Sequence, residues 1–174
     1  MLTLKNLENL TQREIGYIAG IIDGEGSIGI CTSFGKRSKN PSHYIRLNTS
    51  NTCKELMEWY KDIIGGTIGH YAPIATPHSV WKHYLTGENA YRVIKLVQDS
   101  LIVKREQAKL AIYFYEHKKL IHKGVNGNLI PKEELEWREL MKQKISILNG
   151  LNGFEKALRY KDLQRLNEET SHLR

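Results

Sequence analysis

Residues 16–26 read GYIAGIIDGEG. Gly16, Gly20 and Gly24 fall four apart, so they share one side of a helix, while Ile15, Ile18 and Ile22 take the side that covers a core. A capping box in TQRE, Thr11 with Glu14 three residues on, starts this helix, which is predicted to run to about Asp23. Glycine inside a helix costs roughly 0.8–1.0 kcal/mol against alanine. Gly16 and Gly20 together cost on the order of 2 kcal/mol, and some contact must offset it. Small residues at this spacing, with Ala19 beside them, let two helix backbones approach closely. The partner is either a second copy of the same helix or another helix of this chain. Spacing does not choose between them.

The same helix ends on acids. Its last turn carries the negative end of the macrodipole and unsatisfied carbonyls, so Asp23 and Glu25 stand against the field. A bound divalent cation reverses that penalty, and carboxylate and carbonyl oxygens are what Mg²⁺ or Ca²⁺ prefer. Asp23 has a local alternative, capping the turn that follows or the amides of a partner helix. Glu25 is the better ligand candidate.

The chain has 174 residues, which suits one compact domain or one domain with a helical extension. No apolar run approaches the roughly 20 residues of a membrane span, and the first residues lack signal-peptide organisation. Cys31 and Cys53 form neither a zinc motif nor a disulfide framework. A cytoplasmic or organellar-matrix protein, not a secreted one, is the expectation. The formal net charge is +7. Between Glu25 and Glu55 there is no acid, but there are Lys36, Arg37, Lys39, Arg46 and Lys54. Between Asp62 and Glu88 there is again none, but there are His70, His78, Lys82 and His83. Two acid-free windows suggest one surface facing a polyanion.

Period-two alternation predicts strands over SIGICTS and HYIRLNTS, joined by the basic loop FGKRSKNPS. Ile28, Ile30 and Thr32 face one way in the first strand, and Ser27, Gly29, Cys31 and Ser33 the other. In the second, Ile45 and Leu47 face inward and Tyr44, Arg46, Asn48 and Ser50 outward. Thr52 and Glu55 read as a second capping box before KELMEWYKDII, which Gly65-Gly66 stops. TIGHYA and SVWKHYL read as a second hairpin, with Trp81 and Leu85 on one face and Lys82 and Tyr84 on the other. Helices are predicted at 88–99, at 104–119 with Leu110, Phe114 and Ile121 apolar, at 131–149 with Pro131 in the first turn, and at 154–169. Leu135, Leu140, Lys144 and Leu148 mark one line of the third. KGVNGNLIP is a loop with an Asn-Gly turn. The fold class is therefore α+β: an αββαββα core whose mainly antiparallel sheet has helices on one face and a basic, carboxylate-free other face, plus C-terminal helices. A two-stranded ribbon of this kind fits the DNA major groove.

IAGIIDGEG, Ile18 to Gly26, resembles the LAGLIDADG signature of homing endonucleases. The capping box before it, the strand after it, SNT at 50–52 and KREQAKL at Lys104 fit the same pattern, over about residues 11–120. The resemblance implies a saddle-shaped sheet over a long DNA site, a core at 1–122, and a C-terminal helical extension at 123–174 in the same compact unit. One signature is present; ISILNGLNG at 145–153 lacks its acids and glycine spacing. That implies a homodimer pairing along Gly16, Ala19, Gly20 and Asp23, and a near-palindromic target. Carried over by position, Glu25 is the acid that holds Mg²⁺, with Ca²⁺ or Mn²⁺ able to substitute in binding. Gly24 offers a carbonyl near the metal, Asn51 is the polar residue near the attacking water, and Lys104 is the basic residue near the scissile phosphate. The departure is Glu25, where the name-giving motif has Asp.

On this reading the outward strand residues contact double-stranded DNA. Arg46 suits guanine and Asn48 adenine, with Ser27, Ser33, Tyr44, Ser50, Lys82 and Tyr84 as further contacts. Lys36, Arg37 and Lys39 suit phosphate. An initial Met without splicing-type ends suits a free-standing, intron-encoded protein. Two alternatives stay open: an RNA-binding intron maturase, and a cleavage-silent DNA-binding regulator of the same fold. No membrane partner is expected.

Overall fold

The computed structural model describes residues 7–35, 40–72, 79–121 and 130–150. The predicted loop residues Lys36, Arg37 and Lys39, the Asn-Gly turn and the helix at 154–169 lie outside them. The first helix, α1 (Gln12–Glu25), starts on the expected capping box: Thr11 Oγ1 accepts from the Glu14 amide, and the Glu14 carboxylate accepts from Thr11 N at 2.8 Å. It runs two residues beyond Asp23 and passes into β1 (Gly26–Ser33) with no linker. Then follow β2 (Ser42–Asn51), α2 (Lys54–Ile64), β3 (Thr67–Tyr71), β4 (Val80–Thr86), α3 (Gly87–Val97), α4 (Arg105–Leu120) and α5 (Lys132–Asn149). The αββαββα order is as expected. Residues 98–100 form a 3-10 turn after α3, not its last turn.

The four strands pair antiparallel throughout, in the order β1-β2-β4-β3. Their inner face carries Ile28, Ile30, Ile45, Leu47 and Leu85, all buried. Onto it pack Ile18 and Ile22 of α1, Met57, Tyr60 and Ile64 of α2, Val93, Ile94 and Val97 of α3, and Phe114 of α4. Removing one such fully buried side chain typically costs 2–5 kcal/mol.

Two local expectations are corrected. Thr52 does not cap α2. Its N-cap is Cys53, whose amide donates to Asn51 Oδ1 at 2.8 Å, and no side chain caps the helix. Asn51 competes better here because an asparagine oxygen reaches the amide two residues on. On α5 the buried line is Glu134, Arg138, Met141, Lys144 and Ile145. Leu135, Leu140 and Leu148 are half-buried flanks of it. Polar residues are buried there because they pair: Arg138 Nε donates to Glu134 at 2.5 Å, and His117 lies 3.1 Å from the other Glu134 oxygen. Pro131 is the N-cap of α5, one position before its first turn. Asn149 Nδ2 donates to the Ile28 carbonyl at 2.8 Å and Gln107 to the Leu148 carbonyl at 3.2 Å, tying α5 to β1 and α4.

The turn after α2 needs glycine twice. Gly65 and Gly66 have φ of 77° and 94°. A Cβ on Gly66 would also sit 2.5 Å from the His83 ring and 2.6 Å from the Tyr84 carbonyl. His83, unassigned from sequence, is a core residue: its Nε2 donates to the Gly65 carbonyl at 2.6 Å and its ring stands edge-on to Tyr60 at 5.0 Å.

Burial holds the His83 and His43 imidazoles below their ordinary value of 6.5, with Glu139 partly offsetting this at His43. Above that value both states are neutral at these positions. Below it the unfolded chain takes up protons that the folded chain resists, so stability is lost as pH falls from 6.5 through the lower folded values. Thermal melts are expected to show a lower midpoint at pH 5.5 than at pH 7.5, with the His83 ring of the folded chain titrating by NMR below its ordinary value.

Candidate functional site

The helix-to-strand junction sets the site. A Cβ on Gly26 would lie 2.6 Å from the Ile22 carbonyl oxygen and 2.8 Å from its Cα, so only glycine lets β1 leave α1 this tightly. Glu25 is thereby held at the tip of α1, exposed, and it has no hydrogen-bond or ion-pair partner among the described residues. Gly26 pairs with Thr49, two residues before Asn51, so the end of β2 lies at the same corner of the sheet. Asn51 is held there by its bond to the Cys53 amide. The donor is an N–H, so the atom facing it is the side-chain oxygen, and the Nδ2 donors are left to point elsewhere.

Asp23 answers the dipole problem within its own chain. Its Oδ2 accepts from the Ile102 amide at 2.7 Å and its Oδ1 from the Lys104 amide at 2.9 Å. Lys104 Nζ donates to the Asp23 backbone carbonyl. An ammonium therefore neutralises the carbonyl end of α1, and two N–H groups satisfy the carboxylate that stands against the field. The Asp23 carboxylate thus grips the turn before α4. Glu25, Asn51 and Lys104, far apart in sequence, share this corner.

The glycine stripe is open. A Cβ on Gly16, Gly20 or Gly24 would meet nothing within 4 Å, so no other helix among the described residues packs on it. Ala19 is corrected: it is 1% exposed and belongs to the core side with Ile18 and Ile22. One residue before Gly20, it is turned about 100° away from the stripe. Tyr17, 53% exposed, flanks the glycines and stands edge-on to Trp59 at 5.3 Å. Sequence reading passed over this pair; its signal was a tyrosine one turn before an exposed position on an otherwise apolar helix.

The outer face of the sheet is polar. Ser27, Asn48, Tyr84 and Thr67 form one row across all four strands, and Gly29, Arg46 and Thr86 the next. Tyr44 and Ser33 lie farther along, and Ser50 sits beside Lys82. No carboxylate side chain lies on this face among the described residues. Arg46 is exposed, and Lys82 is drawn over the Tyr71 ring at 4.2 Å. Asn48 Oδ1 is buried without a hydrogen-bond partner. In this rotamer Asn48 does not offer both amide ends to one base edge, as adenine reading requires.

Donors for a hard cation at the corner are all oxygen: the Glu25 carboxylate and the carbonyls ending α1, Gly24 among them. That chemistry fits Mg²⁺. No group of three or more His, Cys, Asp or Glu able to hold a metal occurs among the described residues. A cation held at this corner would therefore need oxygens beyond those of Glu25 and the α1 carbonyls. Nor is any helix among the described residues long and apolar enough to cross a membrane.

An αββαββα core with one antiparallel sheet, an acid at the tip of a glycine-striped helix and a carboxylate-free outer face define the LAGLIDADG homing-endonuclease fold. Among solved structures the chain is similar to the homing endonuclease I-CvuI in complex with the I-CreI target, at 16% identity over 81% of this chain and 85% of that one, with a TM-score of 0.63. It is likewise similar to the archaeal intron-encoded homing endonuclease I-Vdi141I complexed with DNA, at 18% identity, 81% and 86% coverage and a TM-score of 0.59. The LAGLIDADG meganuclease I-AabMI bound to uncleaved DNA aligns at 20% identity with 83% of this chain but 48% of its own, with a TM-score of 0.56. No protein-family model and no curated protein matches the sequence.

Because the stripe is open, Gly16→Ala and Gly20→Ala are expected each to stabilise the isolated chain by about 0.8–1.0 kcal/mol, measured by urea unfolding at high dilution.

Proposed function

We propose that this chain is a site-specific homing endonuclease that acts as a homodimer on a long, near-palindromic DNA target, makes a metal-dependent double-strand break, and is intron-encoded. The observation that carries this reading is the corner itself. Glu25 stands exposed and unpaired at the end of an open glycine stripe, with the Lys104 ammonium at the same helix end, beside a carboxylate-free sheet.

Two copies joined along Gly16 and Gly20 bring two α1 tips together. Each Glu25 gives a carboxylate and each Gly24 a carbonyl to Mg²⁺. When bound, the metal supplies a Lewis acid for the phosphate and lowers the pKa of a coordinated water. Lys104 places positive charge where a phosphodiester gathers negative charge. Asn51, fixed through its oxygen, offers N–H donors to orient a water. The outer sheet face lies along the groove. Arg46 is free to fork onto a guanine edge, while Lys82, Tyr44, Tyr84, Ser27, Ser33 and Ser50 give further polar contacts. Asn48 reads a base only after a rotamer change. Two copies carry twice +7, so binding weakens steeply with salt.

The test is a plasmid-library cleavage assay with and without Mg²⁺. Wild type is expected to cut only with the metal. Glu25→Gln is expected to bind the same DNA with unchanged affinity and to lose cutting by on the order of 10²-fold or more. Cutting that survives this substitution sinks the metal assignment. DNA binding without cutting by the wild type would point instead to a regulator, and preference for a structured intron RNA to a maturase. Gly20→Leu is expected to leave a cooperatively folded monomer; a stable dimer of that variant by light scattering refutes the helix pairing.

A further inference from the structure

We infer that Asp23 is a positioning residue for Lys104: its carboxylate clamps the turn that leads into α4 and so fixes where the Lys104 ammonium stands relative to Glu25. This rests on the nuclease reading for its catalytic consequence, but the clamp itself is a matter of geometry. Asp23, on α1, and Lys104, the residue just before α4, lie 81 positions apart, and three hydrogen bonds tie Asp23 to Lys104 and to the turn that ends on it. The carboxylate takes two amides of one short turn, at Ile102 and Lys104, so that turn cannot rotate without losing both bonds. Leu101, fully buried, anchors the same turn in the core. Ile102 and Val103 between these anchors are 83% and 52% exposed, so the turn has little apolar packing of its own to hold its shape. The carboxylate does that work.

Asp23 is also two residues from Glu25 on α1. A clamp there means that the acid and the ammonium are placed by one rigid helix end, not by two elements that move independently. Preorganised charge is what makes such a site effective, because no reorganisation is needed as the reacting phosphate gathers charge. Both oxygens of the Asp23 carboxylate are engaged by amide donors.

The test is a double-mutant cycle on single-turnover cleavage and DNA affinity, using Asp23→Ala, Asp23→Asn, Lys104→Met and the double variants. Asp23→Ala is expected to slow cleavage about 10–100-fold with DNA affinity little changed. In the Lys104→Met background the same change is expected to add almost nothing, because the group it positions is gone. Asp23→Asn, whose amide oxygen still accepts one of the two N–H bonds, is expected to recover part of the rate and to stay folded if Asp23→Ala does not. Equal slowing in both backgrounds, or no slowing, overturns the inference. A second readout is independent of cutting. The Lys104 amine is expected to react slowly with acetic anhydride across pH 7–10 in wild type and faster in the Asp23 variants, followed by peptide mass mapping. If wild type cuts no DNA, the nuclease reading fails alone, and unchanged Lys104 reactivity in the Asp23 variants is what overturns the clamp.

Discussion

A helix becomes a strand at Gly26 with no residue between them, and the rest of the molecule is arranged around that fact. The strand can start there only because position 26 has no side chain to strike the Ile22 backbone. This contact fixes the angle between α1 and the sheet. It thereby decides that the core side of α1 lies on the sheet's inner face, that the glycine side looks away, and that residue 25 stands at the corner where they part. A linker of even a few residues would decouple the acid from both the helix and the sheet.

Electrostatics at that corner follow from the same junction. A helix ending on carboxylates is unfavourable by itself, and the chain resolves this in two different ways. Asp23 turns inward and is satisfied by amides, while the Lys104 ammonium covers the carbonyl end. Glu25, the last residue of α1, is left without a partner among the described residues. Two acids two residues apart therefore have opposite fates, one structural and one free to take a ligand.

Much of this was legible beforehand. The capping box at Thr11, the order of elements, the alternation in β1 and β2, and the apolar side of α1 all depend on local periodicity, which a sequence displays directly. Errors came where a contact from elsewhere in the chain decides. Ala19 looks like part of a small-residue seam until the sheet is seen to occupy its side of the helix. The bonds of Asp23 to the amides of Ile102 and Lys104 were likewise not visible, because they reach across 79 and 81 positions. Thr52 loses the start of α2 to Asn51, a competition between two nearby oxygens that spacing alone does not rank. The buried line of α5 was missed because Glu134 and Arg138 count as surface residues in any periodicity rule, yet each neutralises the other. His83 hid for the same reason: its need for a buried acceptor is met by a carbonyl, at Gly65, that no pattern announces.

The covering of β1 has a consequence for assembly. In the order β1-β2-β4-β3, β1 is a rim of the sheet, and α5 lies against it, with Asn149 bonded to the Ile28 carbonyl. The opposite rim, β3, is only five residues long and carries Gly69 at its middle. Neither rim is a good template for adding a strand from another molecule. Copies of this chain are therefore steered away from merging their sheets into one continuous β-structure, a common route to fibres.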